Sequence, residues 1–80
     1  MTTAIPDLIS DLLVSKYEVS AEEISPDTVF EDLSLDSLAL MEMSLALEKK
    51  LGITISEGTL APQQTLGEAA SVLGLLHAAA

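Results

Sequence analysis

The sequence predicts a small all-α bundle of three main helices plus one short helix, with a long first loop. Three observations predict it. Apolar residues recur at helical spacing in three separate segments of the chain. Gly52 closes the middle segment, as a glycine just past a helix commonly does. Thr65-Leu-Gly-Glu68 opens the last segment with the pattern of a capping box. A length of 80 residues is expected to form one domain, 1–80, with a modest core.

The first helix is expected over residues 4 to 17. Pro6 is tolerated in a first turn, where its missing N–H costs little. Asp7 and Asp11 suit the positive end of the helix dipole. Ile5, Leu8, Ile9, Leu12 and Leu13 form its core face. A long connection follows, from about Glu18 to Leu35. Within it, Ser20-Ala-Glu-Glu23 has the form of a capping box that can start one short turn, and Ser25-Pro26-Asp27-Thr28 is a turn signal. A loop this long is usually functional or pinned by side chains. Ile24, Val29, Phe30, Leu33 and Leu35 are enough to pin this one.

The second helix is expected from Ser37 to Leu51. Ile53-Thr-Ile55 reads as brief and extended, and a short helical turn is expected between Glu57 and Ala61, stopped at Pro62. The last helix runs from residue 66 to about 77. Leu66, Ala69, Ala70, Val72, Leu73 and Leu76 are its buried side, and Ala78-Ala79-Ala80 should fray.

Composition excludes several function classes. The chain carries 13 acids against Lys16, Lys49 and Lys50, with no arginine, for a formal net charge of -10. Such a surface repels nucleic acid and anionic lipid and favours partners that present Lys and Arg. The same charge also keeps an aliphatic domain soluble. Tyr17 and Phe30 are the only aromatics, so the core must be aliphatic. The absence of cysteine excludes disulfides, thiolate metal sites and a protein-borne catalytic thiol. The carboxylates show no metal-ligand spacing. No apolar run reaches the roughly 18 residues of a membrane span. The N-terminus lacks the pattern of a signal peptide, so a cytoplasmic location is expected.

The second helix has one apolar face too many. At about 100° per residue, Leu40, Met43, Ser44, Leu47 and Leu51 cluster on one side as a core stripe. Leu38, Met41 and Leu45 form a second stripe roughly 100–160° away. Glu42 and Glu48 flank it, and Lys49 lies near it. Two arrangements satisfy the pattern. The helix can lie centrally and bury both stripes. Alternatively, the second stripe is a contact patch, with apolar residues giving affinity and acids orienting a basic partner. Met41 would add adaptability there.

Just before that stripe stands Asp36-Ser37-Leu38. A lone serine at a helix start is most often a cap, and Asp36 can cap equally well. No His or Lys is placed in sequence to activate Ser37, and His77 is near the end of the chain. The wider stretch, Phe30-x-x-Leu33-x-x-Asp36-Ser37-Leu38 with Glu42 one turn on, resembles the attachment site of the acyl carrier protein family. The order helix, long loop, Asp-Ser-Leu, helix, short helix, helix is similar too, over about residues 4 to 76.

The resemblance implies a four-helix carrier bundle that is no enzyme and is itself a substrate of other enzymes. It implies a 4′-phosphopantetheine arm from coenzyme A on Ser37, with Asp36 and Leu38 beside it. The missing cysteine is consistent, because the working thiol would belong to the arm. It implies partner contacts at Asp36 and Glu42, which join the second stripe and its flanking acid to make an expected partner surface of Asp36, Leu38, Met41, Glu42, Leu45 and Glu48. The implied partners are a phosphopantetheinyl transferase, then ketosynthase, acyltransferase and tailoring enzymes with basic docking patches. Neither nucleic acid nor membrane is implied, and the free protein is expected to be monomeric. The bundle is expected to open between the second helix and Ile53–Leu60 to shelter an acyl chain, with Leu47, Ile55 and Leu60 responding.

The sequence departs from the family at three points. Ser34 stands where a glycine is common, and is tolerated there if its φ stays negative. Ala39 and Lys49 stand where many fatty-acid carriers have acids. This weaker acidity, with the alanine-rich ends, leans toward a discrete polyketide carrier over fatty-acid service. A peptidyl or aminoacyl carrier is an alternative, although those usually show Gly-Gly-x-Ser or Gly-Asp-Ser forms. A non-carrier acidic helical adaptor, with Ser37 only a cap, is the alternative from another class.

Overall fold

The computed structural model describes residues 4–79. Among them are three α-helices: α1 (Ile5–Tyr17), α2 (Ser37–Leu51) and α3 (Leu66–Ala79). Two single 3-10 turns, Ala21–Glu23 and Phe30–Leu33, lie in the long first loop. The fold is therefore all-α, and an isolated bridge between Val29 and Thr65 is the only β-type pairing among the described residues.

The apolar spacing of α1 places Ile9, Leu12 and Leu13 in the core, with Ile5 and Leu8 packed against it. Pro6 stands in the first turn, and Lys16 in the last turn meets the negative end of the dipole. Glu18 ends the helix in the left-handed region, at φ 55°. α1 packs against α3, whose Leu66, Ala69 and Leu73 are buried and whose Ala70 and Leu76 pack against the core.

The capping box that opens α3 is formed in both directions. The Glu68 N–H donates to Thr65 Oγ1 at 3.1 Å, and the Thr65 N–H donates to Glu68 Oε1 at 2.9 Å. The helix continues two residues past the expected end and includes Ala78 and Ala79, while Ala80 lies outside the described residues. Gly74 sits inside α3, and a Cβ there would come no closer than 4.0 Å to Ile5 Cδ1. Gly74→Ala is therefore expected to stabilise the fold by about 0.5–1 kcal/mol, since it removes backbone freedom without a clash. A denaturation midpoint that falls would show that the α1–α3 seam has no room.

The other proposed capping box does not form. Ser20–Glu23 makes its turn, but the Glu23 N–H is taken by the Ser20 carbonyl at 2.9 Å, leaving nothing for the Ser20 hydroxyl to cap. The Ser25–Thr28 turn is present, closed by the Thr28 N–H on the Ser25 carbonyl at 3.1 Å. Thr28 Oγ1 also donates to the Glu23 carbonyl at 2.8 Å.

The long loop is pinned by more than its apolar side chains. Phe30 and Leu35 are buried, and Ile24 and Leu33 pack against the core. In addition, the loop is stapled by main-chain bonds to the segment that leads into α3. Phe30 N–H donates to the Gln64 carbonyl at 3.1 Å, and Glu31 N–H to the Pro62 carbonyl at 2.9 Å. In return, Leu66 N–H donates to Thr28 at 2.8 Å and Gly67 N–H to Pro26 at 2.9 Å.

The short helix expected between Glu57 and Ala61 is instead a chain of turns. Gly58 adopts φ 87°, which breaks a right-handed helix at its second residue. The Gln64 side chain holds the segment in place: its Nε2 donates to the Thr59 carbonyl at 3.2 Å, and its Oε1 accepts from the Ala61 N–H at 3.4 Å. Ile53 to Ser56 runs without a strand partner, yet Ile55 and Leu60 reach the core.

Candidate functional site at the start of helix α2

The site is built where the stapled loop feeds α2. Asp36 is the N-cap, in extended backbone, and its Oδ1 accepts from the Ala39 N–H at 2.9 Å. Its carbonyl accepts from the Leu40 N–H at 3.0 Å. Ser37 is the first helical residue and is exposed. The capping work thus falls to Asp36 alone. The Ser37 hydroxyl enters none of the side-chain hydrogen bonds formed among the described residues. The N–H groups of Ser37 and Leu38 belong to the first turn and have no carbonyl four residues back within the helix.

Backbone geometry ahead of the site differs from the expectation for Ser34. Its φ is 64°, in the left-handed region, not negative. There it caps the second 3-10 turn, with its N–H on the Glu31 carbonyl at 3.1 Å. The reversal turns Leu35 into the core, 5% exposed, and sends Asp36 outward to its cap. A glycine adopts this conformation without steric cost, whereas serine pays one. Ser34→Gly is expected to raise stability by up to about 1 kcal/mol, the relieved strain being partly offset by a looser unfolded chain. Urea midpoints of the two proteins check this, and a lower midpoint for the glycine variant would show the serine to be unstrained.

The two stripes of α2 separate cleanly. Leu40, Met43 and Leu47 are buried, with Ser44 and Leu51 at the edge of the core. Leu38, Met41 and Leu45 are exposed at 64%, 48% and 57%. The arrangement that buries both stripes is therefore not the one adopted. Glu42 is exposed beside them, whereas Glu48 is half-buried and otherwise engaged. Its Oε2 accepts from the Ile55 N–H at 2.7 Å and ties the chain after α2 back to the helix.

Ser37, Met41 and Leu45 form one bank of a groove of about 590 Å³, whose other bank includes Ile55, Leu60 and Pro62. Ser44 also lines it, with its hydroxyl donating to the Leu40 carbonyl at 2.9 Å. Tyr17 secures the far side of the helix start by donating its hydroxyl to the Ala39 carbonyl at 3.1 Å. Burial and then the nearby Glu42 carboxylate raise the Tyr17 pKa above its ordinary 10.0. What the protonated phenol contributes to stability is thus complete below pH 10.0 and fades as alkali ionises it.

Among the residues singled out in the sequence, the structure brings Ser37, Met41 and Leu45 to one groove and leaves Asp36, Leu38 and Glu42 exposed on the first half of the helix. Glu48 lines the same groove and accepts from the Ile55 N–H. Sequence reasoning missed the hydroxyl bond of Tyr17, which nothing in the residue pattern signals, and Pro62 as a groove wall.

A family model described as a phosphopantetheine attachment site matches residues 7–73. The chain belongs to this family. Neither a curated protein nor a solved structure gives a significant match to it. Members of the phosphopantetheine attachment family are non-catalytic carriers that other enzymes modify, and 4′-phosphopantetheine is their covalent cofactor. The match supports a carrier over the acidic adaptor as the class of this protein. It covers α1 from Asp7, the long loop, α2 and α3 through Leu73. The start of α2 fits such a group on chemical grounds. It offers an exposed, uncommitted hydroxyl, first-turn N–H donors and the positive end of a helix dipole for a phosphodiester. As a carrier, the protein needs a transferase to load it and enzymes to act on its load.

Proposed function

We propose that this chain is a single-domain acyl carrier, residues 1–80, with Ser37 as its attachment point. The observation that carries the reading is the position of Ser37: one free, exposed hydroxyl where a helix N-terminus, an exposed apolar stripe and an apolar groove meet. When attached, 4′-phosphopantetheine supplies a terminal thiol that holds an acyl or polyketide group as a thioester. The protein's own residues do the rest. The first-turn N–H groups of Ser37 and Leu38 would hold the phosphodiester, and the dipole would favour its charge. Asp36 caps the helix that holds Ser37 in place and, with Glu42, presents carboxylates to basic residues of the transferase and later enzymes. Leu38, Met41 and Leu45 supply the apolar centre of that contact.

Service to acyl rather than peptidyl chains is supported by Leu35-Asp36-Ser37, which lacks the Gly-Gly-x-Ser or Gly-Asp-Ser form. Ala39 and Lys49 on α2 favour a discrete polyketide pathway, with ketosynthase, acyltransferase and tailoring partners, over fatty-acid synthesis. A monomer fits a net charge of -10, which repels a second copy, and the cytoplasm is the proposed location. No helix among the described residues is long and apolar enough to cross a membrane.

The groove beside Ser37 is the proposed shelter for the acyl chain. Ile55 and Leu60 line it, and Leu47, fully buried, does not. Amide shifts of Ile55 and Leu60 should therefore move more than that of Leu47 when a long acyl chain replaces a short one. Equal shifts at all three, or none, would place the chain elsewhere. Attachment itself is tested by incubation with coenzyme A and a broad-specificity phosphopantetheinyl transferase, followed by intact mass. One phosphopantetheinyl addition is expected, and its absence overturns the proposal.

A further inference from the structure

We propose that the groove between α1 and α2 is a second docking surface, which takes a carboxylate-bearing, partly apolar segment of a partner enzyme. The chain has 13 acids and only three cations. All three cations, Lys16, Lys49 and Lys50, line this one groove of about 460 Å³, together with Leu12, Glu42 and Leu45. Each lysine is exposed and stands in the last turn of its helix, where it complements the local dipole. The dipole accounts for each lysine separately. It does not account for lysines of two different helices lining one cleft. The Tyr17–Ala39 hydrogen bond ties the end of α1, and with it Lys16, to the start of α2, whereas Lys49 and Lys50 stand in the last turn of α2, about 15 Å further along the helix, so the lysines are spread along the groove.

Charge decides the occupant. A nucleic acid or an anionic bilayer presents a broad array of phosphates, which the surrounding acids repel. A second copy brings another net charge of -10. One or two carboxylates on a protein surface meet the lysines without that penalty, and Leu45, 57% exposed, offers apolar area beside them. Leu45 also lines the groove beside Ser37, so the two surfaces are continuous. Glu42 marks the boundary where the sign changes. A partner would thus place basic residues over Asp36 and Glu42 and acidic ones over Lys49 and Lys50. A footprint of mixed sign fixes the rotation of the partner about α2, which an all-acidic helix face leaves open. The assignment rests on the carrier reading, because it supposes a partner that approaches Ser37.

The test uses the arm-bearing protein, prepared with coenzyme A and transferase and verified by mass. It is titrated, with amide detection, with two synthetic amphipathic helices that differ only in Glu or Lys beside the same leucines. The Glu helix should shift Lys16, Leu45, Lys49 and Lys50, and the Lys helix should shift Asp36, Met41 and Glu42. In the triple variant Lys16→Glu, Lys49→Glu, Lys50→Glu, affinity for the Glu helix should fall roughly tenfold while that for the Lys helix does not fall. Arm addition should proceed as before. With arm addition intact, absence of the Glu-helix shifts, or their persistence in the triple variant, overturns the second surface alone. So do lysine shifts induced instead by phosphatidylserine vesicles, or self-association that the triple variant abolishes. A failure of the unaltered protein to take up the arm overturns the carrier reading and this surface with it.

Discussion

Ser37→Ala is expected to take up no phosphopantetheine at all, while its fold and stability stay close to those of the parent. The loss should be complete because no nearby hydroxyl is equivalently placed. Ser44 donates its hydroxyl to the Leu40 carbonyl and is half-buried. Ser34 caps a 3-10 turn before the helix, and Ser56 lies across the groove on the other bank. The stability should hold because Asp36, not Ser37, makes the capping bond. Asp36→Ala separates the two effects. It should cost about 1 kcal/mol through the lost cap, and it should slow arm addition without abolishing it. Intact mass and a thermal melt read both. Arm addition to Ser37→Ala would move the attachment point elsewhere, with exposed Ser56 the first position to examine.

The second large effect contrasts two methionines two residues apart. Met43 is 1% exposed and Met41 48% exposed. Met43→Ala should cost about 2–5 kcal/mol, since it leaves a cavity among Leu40, Leu47 and their core neighbours. Small domains have total stabilities of about 5–15 kcal/mol, so this variant should be substantially weakened. Met41→Ala should stay within about 0.5 kcal/mol of the parent, as a surface substitution does. Its effect should appear as slower reaction of partner enzymes with the loaded protein, because an adaptable side chain leaves the centre of the contact patch. Chemical denaturation and partner kinetics check the pair. A large stability loss in Met41→Ala would mean that the second stripe is core and that no docking patch exists there.

The candidate site was unevenly legible in the sequence. The stripe of Leu38, Met41 and Leu45 could be read as a face, but not as exposed, because helical periodicity gives the angle between faces and not what covers each one. Ser34 shows the same limit at the backbone. The residue type said that glycine was absent, and only the folded path of the chain set φ to 64°. Glu48 looked like a rim charge by its angle on the helix. The Ile55 N–H that it accepts lies on a segment with no regular structure, whose position periodicity does not describe.

The sequence by itself determined the three helices almost to the residue, the capping box at Thr65, the apolar stripes and the strongly acidic surface. These follow from local rules: helical spacing, cap chemistry, glycine conformation and charge. It also held the Asp36-Ser37-Leu38 pattern that marks the family. Only the tertiary structure decided which stripe of α2 stays in solvent and that the long loop is stapled through residues 62–67. It also brought Lys16, Lys49 and Lys50 to one groove. The physical reason is the same in each case. Exposure, main-chain pairing between loops and the meeting of distant charges depend on how separate segments pack, and no local pattern carries that information.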